Sequence, residues 1–185
     1  MTHQEHHDET TTHDDIETKN EAVVIPEEMK AIFEDRARNH EIRLDREGRW
    51  TYRGAPVTNK KVVDLFNRSI RRTTEGDWVL HVGKDIHPII IEDTPYFVER
   101  MDLEGENPIV FLNDGTAEIL VPETIRYKPV GRLYCLVKDG TTPARFTWNA
   151  YHGLAEHMDE LDGWIVLNLP NTQIRLAPAD EETSV

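Results

Sequence analysis

The sequence predicts an α+β fold made of two similar units, and three observations predict it. Stretches with helical spacing are few, and each is followed by runs of alternating apolar and polar residues punctuated by turn residues. The order strand, Gly-to-Pro break, helix, Gly-Asp-Trp or Asp-Gly-Trp, hairpin occurs twice. Gly54 and Gly140 lie 86 residues apart, as do Trp78 and Trp164, while Pro56 and Pro143 lie 87 apart.

Element by element, the reading runs as follows. Pro26 to Asn39 predicts a helix: proline suits its first position, Glu27 and Glu28 its positive end, and Met29, Ile32 and Phe33 an apolar stripe. Ile42 and Leu44, then Trp50 and Tyr52, alternate with polar residues around an Asp45-Arg46-Glu47-Gly48 turn. Gly54-Ala55-Pro56 breaks that strand. Thr58 or Asn59 then caps a helix whose buried face is Val62, Leu65, Phe66 and Ile70, with Arg71 and Arg72 in its last turn.

Strands follow at Trp78 to Val82 and Ile86 to Ile91, with Pro88 marking an edge position. Tyr96 to Leu103, Ile109 to Leu112, Thr116 to Val121 and Leu133 to Val137 continue the β pattern, with Asn113-Asp114-Gly115 as a hairpin turn. Thr142-Pro143 reads as a cap and first-turn proline opening a helix with Phe146, Ala150, Tyr151, Leu154 and Met158 on one side. A last hairpin joins Ile165 to Leu169 with Gln173 to Leu176 across Pro170-Asn171. The predicted organisation is an acidic, His-rich disordered tail at 1–21, units at 22–93 and 94–178, and an acidic tail at 179–185.

Composition bounds the function. A chain of 185 residues, 38% hydrophobic, is long enough to bury a core without disulfide or metal. Its one cysteine, Cys135, excludes a disulfide framework and sits in an apolar strand as an inert thiol. No apolar run approaches the roughly 20 residues of a membrane helix. The start is polar and acidic rather than a signal peptide, so the expected location is cytoplasmic.

The net charge of −14 is unevenly placed. Residues 1–21 carry −6 and residues 179–185 carry −3, leaving −5 for 22–178. Within that core, Arg36 to Arg72 holds eleven bases against four acids, and residues 73–178 hold eight bases against seventeen acids. The basic block reads either as a solvated face neutralised by the acidic half or as a site for a small anion. The overall charge argues against long duplex DNA as a partner.

Sequence patterns for chemistry are sparse. The histidines of the N-terminal tail lack a fixed frame for metal. His152, Glu156 and His157 have the wrong spacing for a zinc helix, since histidines five apart stand about 140° round the helix. No phosphate-cradling glycine loop, dinucleotide fingerprint or nucleophile elbow occurs, and Ser69 is the sole serine between the tails. The sequence therefore points to no metal and no cofactor. Glu92 and Asp93 are a suggestive acidic pair, but neighbours in a strand face opposite ways.

Several stretches resemble a known family: Trp50-Thr51-Tyr52-Arg53-Gly54-Ala55-Pro56-Val57, Val62-Val63-Asp64-Leu65-Phe66 and Ile91-Glu92-Asp93-Thr94-Pro95-Tyr96-Phe97, then Ala144-Arg145-Phe146 with Tyr151 and Leu154-Ala155-Glu156. In order and spacing they are similar to the bacterial family called domain of unknown function 1285, over about residues 41–177. The resemblance implies a duplicated α+β core whose C-terminal half is superficially like a pleckstrin-homology fold. It also implies a ligand site between the halves for a nucleotide-like or nucleic-acid-derived ligand, and a role in signalling, with no established enzymatic activity. The chain departs from the pattern at Asn59-Lys60-Lys61, at Trp148 and at Val82 to Ile86. Those departures bear on the ligand rather than on the scaffold.

The favoured reading is thus a ligand-binding or signalling module, with no membrane partner. Arg53, Lys60, Lys61 and Arg145 would contact an anion, Trp50 or Trp148 would stack on a base, and Glu92 and Asp93 would position a ribose or orient the cations. The alternatives are an enzyme acting on a phosphate-containing substrate, with Asp93 or His81 as acid–base group, and a protein-interaction module using exposed β edges.

Overall fold

The structure, a computed structural model, describes residues 22–39, 41–105, 107–128 and 131–178. The tails expected at 1–21 and 179–185 lie outside the described residues. A 3-10 turn at Glu27–Met29 leads into α1 (Lys30–Asn39), which turns Phe33 toward Val23, Val79 and Ile86. Ile32 is 51% exposed, so the apolar stripe of this helix is narrower than its spacing predicts.

Strands β1 (Ile42–Leu44) and β2 (Trp50–Tyr52) form the expected antiparallel hairpin. Its turn is organised by the Asp45 carboxylate, which accepts the Glu47 and Arg49 backbone N–H groups at 2.9 and 2.8 Å. Burial works to raise the Asp45 pKa, but these bonds and the Arg49 guanidinium prevail and hold it below the usual value. After β3 (Ala55–Pro56), α2 (Lys60–Ser69) opens on Asn59, whose side chain accepts the Lys61 N–H at 3.0 Å.

Two features of this second helix correct the sequence reading. The chain leaves helical geometry at Ile70, so Arg71 and Arg72 belong to β4 (Ile70–Arg72) instead of the last helical turn. Leu65 is 39% exposed, whereas Asn67 and Ser69 are buried. Pairing of Ile70 with Leu80 draws the chain into a strand, and the helix presents Asn67 inward, where it meets a buried indole.

β5 (Trp78–Val82) and β6 (Asp85–Pro88) complete a three-stranded antiparallel sheet, with Pro88 on its edge strand. β7 (Ile90–Ile91) crosses to pair parallel with β1, giving a second sheet ordered β3-β2-β1-β7. Ile42, Leu44, Trp50, Ile70, Leu80 and Ile89 pack in one core with Phe97, which arrives from the following strand.

The remaining chain forms β8 (Tyr96–Asp102), β9 (Ile109–Leu112), β10 (Ala117–Ile119), β11 (Arg126–Lys128), β12 (Arg132–Val137) and β13 (Thr142–Phe146). Then come α3 (Trp148–Ala155), β14 (Met158–Leu161), β15 (Trp164–Leu169), β16 (Thr172–Arg175) and β17 (Ala177–Pro178). Thr142-Pro143 does not open a helix. Thr142, Ala144 and Phe146 alternate inward from a strand, Thr147 is the true cap of α3, and Met158 has already passed into β14. Proline is tolerated in β13 because pairing with β8 begins one residue later, at Ala144. The fold is α+β.

One sheet runs β10-β9-β8-β13-β12-β11-β17, and another β14-β15-β16. Buried side chains of β8, β9, β12 and β13 pack with Ala150 and Leu154 of α3 and with Leu167, Leu169 and Leu176. The pairing order β3-β2-β1-β7 reappears as β13-β12-β11-β17, including the parallel partnership of β1 with β7 and of β11 with β17. In each set a helix and a three-stranded antiparallel sheet follow. The sets differ where β13 also takes β8 as a parallel neighbour, while β3 is an edge strand.

Candidate functional site

The face of β12 and β13 turned away from the second core gathers charged and aromatic side chains beside the start of β8, with Tyr134 and Phe97 buried and Arg132 exposed. Odd-numbered residues of β12 face the core, which leaves Arg132, Tyr134 and Leu136 on the other side. Cross-strand register then sets Arg145 and Arg126 opposite Tyr134, and Lys128 opposite Arg132. Phe97 stands opposite Arg145 on β8.

At its centre, Tyr134 lies with its hydroxyl 3.2 Å from Asp93 Oδ2, to which it donates. Arg145 donates to the same carboxylate at 3.1 Å, and both charged side chains are nearly buried, at 12% and 13% exposure. The Arg145 guanidinium lies 5.3 Å from the Phe97 ring centre, and the Lys128 ammonium 5.0 Å from that of Tyr134. Burial, then the neighbouring Asp93 charge, raises the Tyr134 pKa, so its phenol is a neutral donor.

Arg145 is spoken for by Asp93, but Lys128 and Arg132 have no carboxylate partner among the described residues. Arg126 donates to the backbone carbonyls of Glu123 and Ile125. The face therefore has a fixed centre and a cationic margin. On the core-facing side of the sheet, Trp148 stacks on Tyr151 with ring centres 6.1 Å apart, and the Tyr151 hydroxyl end reaches Gly131 at the turn that leads into Arg132.

Of the residues singled out in the sequence, the structure brings Asp93 and Arg145 into contact. Glu92 turns to the other side, to Arg43 at 3.1 Å. Trp50 cannot stack on a ligand: it is 1% exposed, its ring sits edge-on to Phe66, and its Nε1 donates to Asn67 at 2.8 Å. Arg53 is bound to Glu41 and Lys60 to Asp64, each an exposed local pair, and Lys61 is exposed. Trp148 is 68% exposed on the first turn of α3.

The basic block between Arg36 and Arg72 is thus largely spent on local partners. Arg43, Arg49, Arg53 and Lys60 take acids, and Arg71 and Arg72 take backbone carbonyls. Tyr134, Lys128 and Arg132 were not singled out in the sequence. Their signal is the period-two pattern Arg126, Lys128 and Arg132, Tyr134, which sets basic and aromatic residues on one face of adjacent strands.

Concave surfaces away from this face have different chemistry. An open cleft of about 590 Å³ between the end of β8 and α3 carries Glu99, Asp102 and Glu104. Another of about 570 Å³ contains His81 with Arg71 and Lys84, apart from Asp93. Cys135 is buried, and burial followed by the Glu118 charge pushes its thiol up to about 12, so it is no nucleophile at neutral pH.

Fold and face together define a mixed α+β protein with a cation-and-aromatic sheet surface at the meeting of its two sets of elements. Comparison with solved structures gives the same architecture. A DUF1285 family protein from Silicibacter pomeroyi DSS-3 superposes with a TM-score of 0.59 at 18% identity, over 76% of this chain and 81% of that one. Another, from Shewanella baltica OS155, gives 0.50 at 15% identity over 63% and 91%. These neighbours support the resemblance to that family read from the sequence, and at such identities what they carry is the fold. No family model and no curated protein matches the chain in sequence. No described helix is long and apolar enough to cross a membrane.

Proposed function

We propose that this chain is a non-catalytic signalling module that binds a small nucleotide-like anion on the Tyr134 face. One observation carries the reading: Lys128 and Arg132, which have no carboxylate partner among the described residues, flank a tyrosine whose hydroxyl donates to Asp93, the same carboxylate that accepts from Arg145. Phosphate oxygens would be met by Lys128 and Arg132, and a base reaching past the Gly131 turn would stack on the exposed Trp148. Asp93 positions Arg145 and Tyr134 and repels any anion that is not matched by the marginal cations. The site draws on the two units, 22–93 and 94–178, since Asp93 ends the first and Arg145 belongs to the second. The repeated pairing order supports their origin by duplication, and the helix-backed seven-stranded sheet is the support for pleckstrin-homology-like character. The expected setting is the cytoplasm.

A thermal-shift panel of mononucleotides, cyclic dinucleotides and inorganic pyrophosphate tests the proposal. At least one phosphate compound is expected to raise Tm in a saturable way, and Lys128→Ala with Arg132→Ala is expected to abolish the shift while leaving the unliganded Tm near that of the parent. No response to any anion at millimolar concentration, or a response that survives both substitutions, overturns it.

A further inference from the structure

Little apolar surface holds α1 on the strands. The helix has 10 residues, fewer than the roughly 12–15 that an isolated helix needs to persist in water. Of its two large apolar side chains, Ile32 is exposed and Phe33 packs on Val23, Val79 and Ile86. Arg36 adds a polar clasp. Its Nη1 lies 3.3 Å from the Ile86 carbonyl oxygen and 3.3 Å from His87 Nδ1, both on the edge strand β6.

The chemistry of that contact fixes the state of the imidazole. A guanidinium donates only and keeps its proton at any ordinary pH. The contact with His87 is therefore a hydrogen bond only when Nδ1 carries a lone pair, with the ring proton on Nε2 and the ring neutral. Protonated at both nitrogens, His87 turns an N–H and a positive charge toward Arg36. One Arg36 nitrogen serves both acceptors, so a guanidinium driven from His87 also leaves Ile86.

Arg36 acts on the ring from α1, Asp85 from its own strand and Glu41 from the residue before β1. β5 sets uncharged Leu80 opposite His87 and exposed His81 opposite Ile86, and Glu34 and Asp77 border the same groove as Arg36. Burial, then Arg36, holds the His87 pKa below its ordinary 6.5 against the pull of the two carboxylates.

We propose that Arg36 and His87 form an acid-sensitive latch: neutral His87 holds α1 on β6, and its protonation releases the helix and uncovers Val79 and Ile86. The docked helix binds fewer protons than the released one, so acid favours release. Attachment is complete above pH 6.5 and is lost as pH falls through the depressed value of the docked histidine. Carboxylates titrate near about pH 4, below that window.

Amide hydrogen exchange of the full chain tests the latch when expressed as protection factors, which remove the intrinsic pH dependence of exchange. Protection from Phe33 to Asn39 is expected to fall by about threefold or more between about pH 7.5 and about pH 5, while β12 keeps its protection. His87→Asn places a non-titrating amide oxygen where Nδ1 stood, and is expected to hold α1 equally at both pH values. His81→Asn is expected to respond as the parent does, and Arg36→Met to lower α1 protection at both pH values. The ring titration of His87, followed by NMR, needs no variant: its midpoint is expected below 6.5 and shared by the α1 amide shifts. Protection of α1 that ignores pH, a fall that persists in His87→Asn, or a His87 midpoint at or above 6.5 overturns the proposal.

Discussion

Asn67 shows how one side chain couples the parts of this molecule. It accepts from Trp50 Nε1 at 2.8 Å and donates to the Asn113 carbonyl at 3.1 Å. Asn113 in turn accepts the Phe97 N–H through its own side chain at 2.9 Å. The relay ties α2 and β2 to the turn after β9, and so to the strand that delivers Phe97 into the first core. Asn67→Ala leaves the Trp50 indole without its acceptor in a dry environment, which predicts a loss of about 1–3 kcal/mol. Urea unfolding checks this, and a loss below about 0.5 kcal/mol would show that the relay is not stabilising. A polar residue on an otherwise amphipathic helix is ordinarily assigned to solvent, so Asn67 was not legible in the sequence. Asp93 and Arg145 were, because each belongs to a distinctive run. Trp50 was legible as an aromatic strand residue, but its inward direction depends on a partner 17 positions away.

Among the elements, hairpins were read most faithfully, because turn residues such as Asp45 to Gly48 and Asn113 to Gly115 act locally. The helix ends were not. Thr142-Pro143 has the local chemistry of a helix start, yet β12 pairs with both residues and β8 takes up the strand from Ala144, so tertiary pairing overrides the local signal. The Lys138 cluster is a similar long-range device. Its ammonium reaches Asp114 at 2.8 Å, Thr116 at 2.7 Å and Glu118 at 3.0 Å, with 13% of the side chain exposed. It locks the β9–β10 hairpin onto the turn between β12 and β13, and its own N–H donates to Glu118 at 2.7 Å. Lys138→Met removes the cation and leaves two shielded carboxylates facing one another. The expected cost is about 3–5 kcal/mol, little affected by added salt because the pair is sheltered. Chemical denaturation with and without salt measures it, and a cost under about 1 kcal/mol would mark the cluster as dispensable.

For the whole molecule, the two sets of elements share a pairing order but are stabilised differently. The second owns the larger core, with Cys135 and Tyr96 inside it. Burial is the leading cause that pushes the Cys135 thiol from 9.0 to about 12 and the Tyr96 phenol from 10.0 to about 12. Tyr134 is raised for the same first reason. Each group keeps its proton in the folded chain at a pH where the unfolded chain has released it. Between those values the native state binds more protons than the unfolded state, so stability falls as pH rises. The decline begins near pH 9, where the unfolded thiol titrates, steepens above pH 10 as the tyrosines join, and continues toward pH 12. One such group fully within its window contributes a slope of about 1.4 kcal/mol per pH unit. Cys135→Ala removes the first contributor and is expected to flatten the curve between pH 9 and 10, although its cavity lowers stability at every pH. Urea unfolding of both proteins from pH 8 to pH 11 separates the two effects. A constant vertical offset is packing, a difference in slope is the thiol, and parallel curves would refute its role in alkaline unfolding.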